Sequence, residues 1–268
     1  MSDSNDDASG SSKNDSGSQT DISGKKIFFL YPTASVKNQI ITELVQQEYE
    51  VYAAKDHVRL ARALKKHADS VIFVNIDEGM TSLEWERWIG ALMTSLPNLK
   101  IGVFSSNSDE EVKNRYLNEL RVACGYMGLK VDMSKMTPKI LELIKVLNVK
   151  GRRKYLRATT ELEGSATVNM PHGGDFIKGT IKDISVVGIS CSFDTDPALS
   201  KNAIVKDIQI RLQSQLIKVE AVVFGSRMDG GEKIYVMIFT QRVDPEIKVK
   251  IRKYIQQNLQ NKMDLEIS

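Results

Sequence analysis

The segment Lys150-Gly151-Arg152-Arg153-Lys154-Tyr155-Leu156-Arg157 carries five positive charges in eight residues and no acid. It separates two halves of the chain that have different apolar periodicities. Before it, short apolar runs alternate with stretches whose apolar residues recur at helical spacing. After it the helical spacing vanishes, and short strand-like runs separated by turns take over as far as residue 240. A basic connector between two folded units is the first expectation.

On the amino-terminal side, strand-like runs occupy 27–31 (IFFLY), 50–54 (EVYAA), 71–76 (VIFVNI), 101–104 (IGVF) and, more weakly, 126–131. Helical spacing links Ile40, Ile41, Leu44 and Val45, then Leu60, Ala61 and Leu64, then Trp85, Trp88, Ile89 and Leu92, then Val112, Tyr116, Leu117 and Leu120. A fifth helix is expected to begin with Thr137 as N-cap and Pro138 at its first position. Alternating βα units of roughly 25 residues predict a parallel sheet covered by helices on both faces. In this pattern residues 25–148 resemble flavodoxin-like and response-regulator receiver domains.

That resemblance implies a test. Receivers hold Mg²⁺ and accept a phosphoryl group with a pair of acids after the first strand and an Asp at the end of the third. Here the first strand runs into Leu30, Tyr31 and Pro32, and the third ends at Asn75 with Asp77 two residues on. Ser105 and Lys130 fall near the positions of a receiver's switch hydroxyl and lysine. One carboxylate would hold Mg²⁺ weakly, so residues 25–148 are read as a pseudo-receiver, a scaffold or docking domain.

On the carboxyl-terminal side, strands are expected at 166–170, 176–181, 187–193, 204–212, 216–224 and 234–239. Asp229-Gly230-Gly231 between two apolar runs is a hairpin signal. Six short antiparallel strands predict a small barrel. A closing helix should start at Asp244 with Pro245 behind it and carry Ile247, Ile251, Ile255 and Leu259 on one stripe, able to cover a barrel mouth or pack on another domain. The fold class is therefore multidomain: a flavodoxin-like, receiver-like α/β half followed by a small antiparallel β-barrel with a carboxyl-terminal helix.

Arg153 and Arg157 form an R-x-x-x-R, and 26 residues after Arg157 comes Asp183-Ile184-Ser185-Val186-Val187-Gly188, a D-x-S-x-x-G. Each motif alone is common. In this order, before a barrel with a closing helix, they resemble the PilZ domain family of bacterial cyclic di-GMP receptors over roughly residues 149–260. The resemblance implies a ligand site made of Arg152, Arg153, Arg157, Asp183, Ser185 and Gly188, with no catalytic residue, metal or cofactor besides the nucleotide. The position of Arg152 is implied to influence whether one ligand or a stacked pair is held.

The residue types suit that ligand. Cyclic di-GMP offers two phosphates and two guanines. The planar guanidinium fork meets a phosphate, or the O6/N7 edge of guanine, with two parallel hydrogen bonds, and its face can stack on a base. Asp183 is a complementary acceptor for the N1–H/N2–H edge, and the Ser185 hydroxyl could bond a phosphate or base. Gly188 is expected to allow a positive φ or a close ligand approach. Ordering a loose connector costs about 1–2 kcal/mol per residue, a sum comparable to several charge-assisted hydrogen bonds. Binding is therefore expected to be coupled to ordering of residues 149–157, which would be mobile without ligand, and thereby to reorient the amino-terminal half to control an unknown protein partner.

Composition narrows the alternatives. Hydrophobic residues make up 41% and charged residues 26% of the 268-residue chain, enough for folded cores. Two cysteines make no disulfide framework, so a reducing, cytoplasmic setting is expected. Residues 1–24 hold five Asp, eight Ser and one Lys, a charge of −4, and are expected to be a disordered tail; with +3 overall, +7 remains on the rest. Three scattered histidines, no nucleophile elbow and no phosphate-binding glycine loop give no reason to expect an enzyme. No apolar run approaches membrane-spanning length, so no membrane insertion is expected. A nucleic-acid-binding module using the basic connector with Lys248, Lys250, Arg252 and Lys253 is the alternative, weakened by Tyr155 being the sole aromatic in the connector.

Overall fold

The computed structural model describes residues 24–160, 166–240 and 243–268. The acidic tail expected over 1–24 lies, Gly24 apart, outside the described residues. The first half is a five-stranded parallel sheet of β1 (Ile27–Leu30), β2 (Val51–Ala54), β3 (Val71–Asn75), β4 (Lys100–Ser105) and β5 (Tyr126–Gly128) in the order β2-β1-β3-β4-β5. This is the doubly wound order of receiver domains. Successive residues of β1 face opposite cores. Phe28 and Leu30 pack with α2 (His57–Lys66) and α3 (Ser82–Ser95), while Ile27 and Phe29 meet the helix at Val36–Gln46 and α5 (Met133–Val146). Both faces are thus buried, which is why these strands read as unbroken apolar runs.

Three helices depart from the sequence expectation. The one before β2 opens as a π-helical stretch, Val36–Ile41, and continues as α1 (Thr42–Gln46); the one after β4 is a short α4 (Glu110–Asn114) followed by a π-helical turn, Arg115–Glu119. In α5 the N-cap is Asp132, whose carboxylate accepts from Ser134 N at 2.9 Å, so the helix starts five residues before the expected Thr137–Pro138 boundary. Pro138 sits inside the helix and Thr137 donates its hydroxyl to Met133 O at 2.8 Å. An interior proline removes the bond to the fourth residue back. Burial of Met133 and Met136 under the sheet, each about 5% exposed, offsets that loss.

The second half is a closed barrel of six antiparallel strands: β7 (Ala166–His172), β8 (Asp175–Ser185), β9 (Gly188–Phe193), β10 (Ile204–Leu212), β11 (Gln215–Asp229) and β12 (Glu232–Phe239). The order β8-β7-β10-β11-β12-β9 is closed by a second pairing of β8 with β9, and a short β6 (Ala158–Thr159), which the sequence reading lacks, joins the other edge of β8. Asp229 and Glu232 face each other across Gly230 and Gly231, at φ +55° and +86°, as a two-residue hairpin of this twist requires.

The last helix, α6 (Pro245–Glu266), is capped by Asp244, whose carboxylate accepts from Glu246 N at 2.8 Å. Its first turns place Ile251, Tyr254 and Ile255 in the barrel core, whereas Met263 and the following Ile267 enter the core of the first half. It also covers an open sheet edge. Ala53 N of edge strand β2 donates to Gln260 Oε1 at 2.9 Å, and Gln260 Nε2 donates to Ala53 O at 3.1 Å, as a neighbouring strand would. Among the described residues no helix is long and apolar enough to cross a membrane.

Met263 is 4% exposed and Leu265 is 68% exposed. Met263→Ala is therefore expected to cost about 2–4 kcal/mol, and Leu265→Ala less than about 0.5 kcal/mol, in urea denaturation of the whole chain.

Candidate ligand-binding site

The connector from α5 to the barrel is docked near its two ends, with residues 152–154 between them exposed. It leaves the first half beside the amino-terminal end of β1, where Lys25 N donates to Val149 O at 2.8 Å and Gly24 bridges Lys150. Lys150 Nζ lies 4.8 Å from the centre of the Tyr49 ring. Tyr155 and Leu156 pack against the barrel core, and Leu156 N donates to Glu48 Oε2 at 3.1 Å.

Where the connector becomes β6, backbone pairing fixes its arginine. Ala158 pairs with Ile184 and Thr159 with Asp183 on β8. Thr160 N donates to Lys182 O at 3.0 Å, and its hydroxyl donates to Ile181 O. This ladder brings the two sequence motifs together, because Arg157 immediately precedes β6 and Asp183 is opposite it. Arg157 Nη1 stands 3.8 Å from Asp183 Oδ1, with half of the arginine side chain still exposed. An exposed pair at that distance contributes little to folding and leaves the remaining guanidinium donors open to a ligand.

The D-x-S-x-x-G segment is the β8–β9 hairpin. Ser185 is opposite Gly188, and a bulge between Ile181 and Asp183 re-aims the acid relative to the strand. Ser185 is buried; its hydroxyl donates to Gly188 O at 3.3 Å and accepts from Val187 N at 3.4 Å. The side chain expected to meet a phosphate or base thus closes its own turn. Gly188 differs in its physical reason as well: it has no positive φ, and a Cβ there would lie 2.3 Å from Met237 O on β12. Strand proximity, not turn geometry, demands glycine. Further along β9, Cys191 faces the barrel interior, and burial, aided by the nearby Asp183 charge, pushes its thiol up to about 12.

Arg153 and Arg157 line one small cavity of about 40 Å³ together with Lys25, Glu48, Tyr49, Glu50 and Tyr155. Arg152 lines an adjoining cleft of about 670 Å³, which shares Lys25, Val149, Lys150 and Gly151 with that cavity and adds Lys26, Lys66 and His67. The structure thus sets Arg157 beside both Arg153, across the small cavity, and Asp183, across the β6–β8 ladder, with Arg152 on the adjoining cleft. Glu48 belongs to the site although nothing in the sequence marks it. The basic stripe of the closing helix is divided too: Arg252 Nε donates to Glu48 Oε1 at 2.8 Å, and Lys253 lines a cleft with Lys37, Lys55 and Arg59.

The receiver-like pocket is occupied by its own hydrogen bonds. Asp77 Oδ1 accepts from the Ser105 hydroxyl and Oδ2 from Ser106 N, both at 2.6 Å, while Asn75 Nδ2 donates to Tyr31 O at 2.9 Å. Lys130 is exposed. Among the described residues no group of three or more His, Cys, Asp or Glu side chains is arranged to hold a metal.

A family model described as "PilZ domain" matches residues 151–257. Residues 151–257 are a PilZ domain. The PilZ half begins at Gly151, inside the docked connector, and ends within α6. Similar solved structures divide between the two halves. The PilZ domain with c-di-GMP of YcgR from Escherichia coli is 16% identical, with 43% of this chain and 97% of that one covered and a TM-score of 0.37. A response regulator from Thermotoga maritima is 16% identical over 46% of this chain and 98% of that one, at a TM-score of 0.38. The PlzA protein of Borreliella burgdorferi in complex with c-di-GMP is 18% identical over 46% of this chain, TM-score 0.29; the matched region spans 58% of PlzA's length. No curated protein sequence matches the chain.

Two outcomes follow from the packing of the two halves. Gly188→Ala is expected to destabilise the ligand-free protein by about 1–3 kcal/mol in urea titration, because β9 and β12 must separate. With both thiols buried and raised to about 12, Cys124 and Cys191 are expected to stay unmodified by a disulfide-exchange reagent at about pH 8 until denaturant is added.

Proposed function

We propose that this chain is a cyclic di-GMP receptor in which Arg153 and Arg157 of the connector and Asp183 of the β8–β9 hairpin hold the nucleotide. The observation that carries the reading is the convergence of the two motifs: β6 zips onto β8 and sets Arg157 beside Asp183 in a PilZ domain. Arginine forks bind phosphate or the O6/N7 edge of guanine, and the carboxylate accepts from the N1–H/N2–H edge. Charge-assisted bonds of about 1.5–3 kcal/mol each, from two arginines and one carboxylate, suffice for micromolar binding near −8 kcal/mol.

The receptor works by rearranging its connector. The cavity shared by Arg153 and Arg157 is about 40 Å³, room for about one water at roughly 30 Å³ each, whereas ligand sites usually reach several hundred Å³. Admitting a dinucleotide between these arginines displaces residues 153–157 from the first half. Because that same segment joins the two domains, the ligand changes how the receiver-like half is presented to a downstream protein. No catalytic role is assigned to either half, and the setting in which the receptor works is the cytoplasm.

Calorimetric titration of the full chain with cyclic di-GMP at about 150 mM salt tests the reading. Binding is expected, with discrimination against cyclic di-AMP, and Arg153→Ala and Arg157→Ala should each weaken it at least tenfold, about 1.4 kcal/mol. Scattering profiles of free and loaded protein should differ. Absence of binding, or binding indifferent to both substitutions, would overturn the assignment.

A further inference from the structure

Glu48 is out of place by local rules. It occupies the left-handed position after α1, at φ +64°, with Glu48 N bonded to Val45 O and Tyr49 N to Leu44 O, both at 3.0 Å. That is the helix-ending motif in which glycine is the usual residue, and a side chain there is strained. The strained side chain is not free in solvent: it is 8% exposed and ties three parts of the molecule together. One carboxylate oxygen accepts from Leu156 N at 3.1 Å, in the middle of the connector between Arg153 and Arg157; the other accepts from Arg252 Nε of α6 at 2.8 Å. Strain kept at one position and resolved by two specific bonds points to a role.

We propose that Glu48 is an internal latch that opposes ligand binding, its carboxylate holding the connector against the receiver-like half in the position a nucleotide phosphate must displace. The inference rests on the cyclic di-GMP reading above and adds the residue that regulates the site. Glu48 lines the 40 Å³ cavity with both site arginines, so a ligand large enough to engage them must draw Leu156 away from it. The neighbouring Glu50 cannot substitute, since its carboxylate is held by Lys26 and Tyr52. Because the Glu48 bonds exist in the docked arrangement and not in the opened one, their free energy subtracts from binding. Reciprocity then requires the ligand to loosen what Glu48 holds, including its bond to Arg252 at the seam between α6 and the first half.

The left-handed backbone supplies a clean variant, because Glu48→Gly deletes the carboxylate while placing the favoured residue at that φ. Full-length wild type, Glu48→Gly, Glu48→Gln and the double variant Glu48→Gly/Arg153→Ala are titrated with cyclic di-GMP. In parallel, amide exchange of residues 154–157 is followed without ligand. Glu48→Gly is expected to bind at least fivefold more tightly and to exchange the Leu156 amide faster. Glu48→Gln, which keeps an acceptor oxygen but loses the charge, should fall between it and wild type, and the double variant should lose binding. Affinity that is unchanged or weaker in Glu48→Gly, with wild type binding intact, would overturn the latch, since a merely structural residue would not tighten binding when removed. If wild type itself fails to bind, the ligand assignment falls and the exchange measurement decides the latch alone. Wild-type protection retained in Glu48→Gly would then end it.

Discussion

One helix lies across two hydrophobic cores, and the arrangement of everything else depends on that. The 22 residues of α6 close the barrel with their first turns and enter the core of the receiver-like half with their last. Past its midpoint, Gln260 satisfies both backbone groups of Ala53 on edge strand β2, the groups a parallel sheet would otherwise leave open. A helix so shared cannot shift relative to one half without exposing apolar surface on the other. That makes the relative placement of the halves a defined state and gives the connector between them something to work against.

The connector is accordingly set between fixed ends. At its start Lys25 and Gly24 hold Val149 and Lys150; at its finish β6 is paired to β8. Between these ends its charges are concentrated, Leu156 N donates to Glu48 of the first half, and Lys150 rests on the Tyr49 ring. Binding chemistry and mechanical position therefore coincide in the same few residues. In the proposed receptor, an arginine of this segment that captures an anion would act on both halves at once, since the same residues touch each of them. In the receiver-like half, Asp77 accepts from the Ser105 hydroxyl and from Ser106 N.

Features governed by neighbouring residues in sequence were legible before any coordinates. The barrel strands, the Asp229-Gly230-Gly231 hairpin and the Asp244-Pro245 helix start are set by alternation, by the need for two positive φ angles and by a capping carboxylate. So was the pairing of two weak motifs into a recognisable family pattern, which the match to residues 151–257 bears out. Misreadings arose where a local signal competed with packing. Thr137-Pro138 looks like a helix start, yet Asp132 caps earlier and the burial of Met133 and Met136 carries the helix through the proline. Gly188 looks like a turn glycine, yet its constraint comes from Met237 on another strand.

The amino-acid order by itself determined the two architectures, their boundary at the basic segment and the arginine, carboxylate and glycine types of the two motifs, because periodicity, capping and charge are properties of short stretches. Only the tertiary structure decided that Arg153 and Arg157 line one small cavity with Arg152 on the cleft beside it, that Ser185 closes its own turn and that Glu48, over a hundred residues from the connector it holds, lies among them. Those facts depend on where the closing helix and a two-residue strand bring distant backbone together. No local pattern encodes such contacts, since they are settled by the joint packing of two cores.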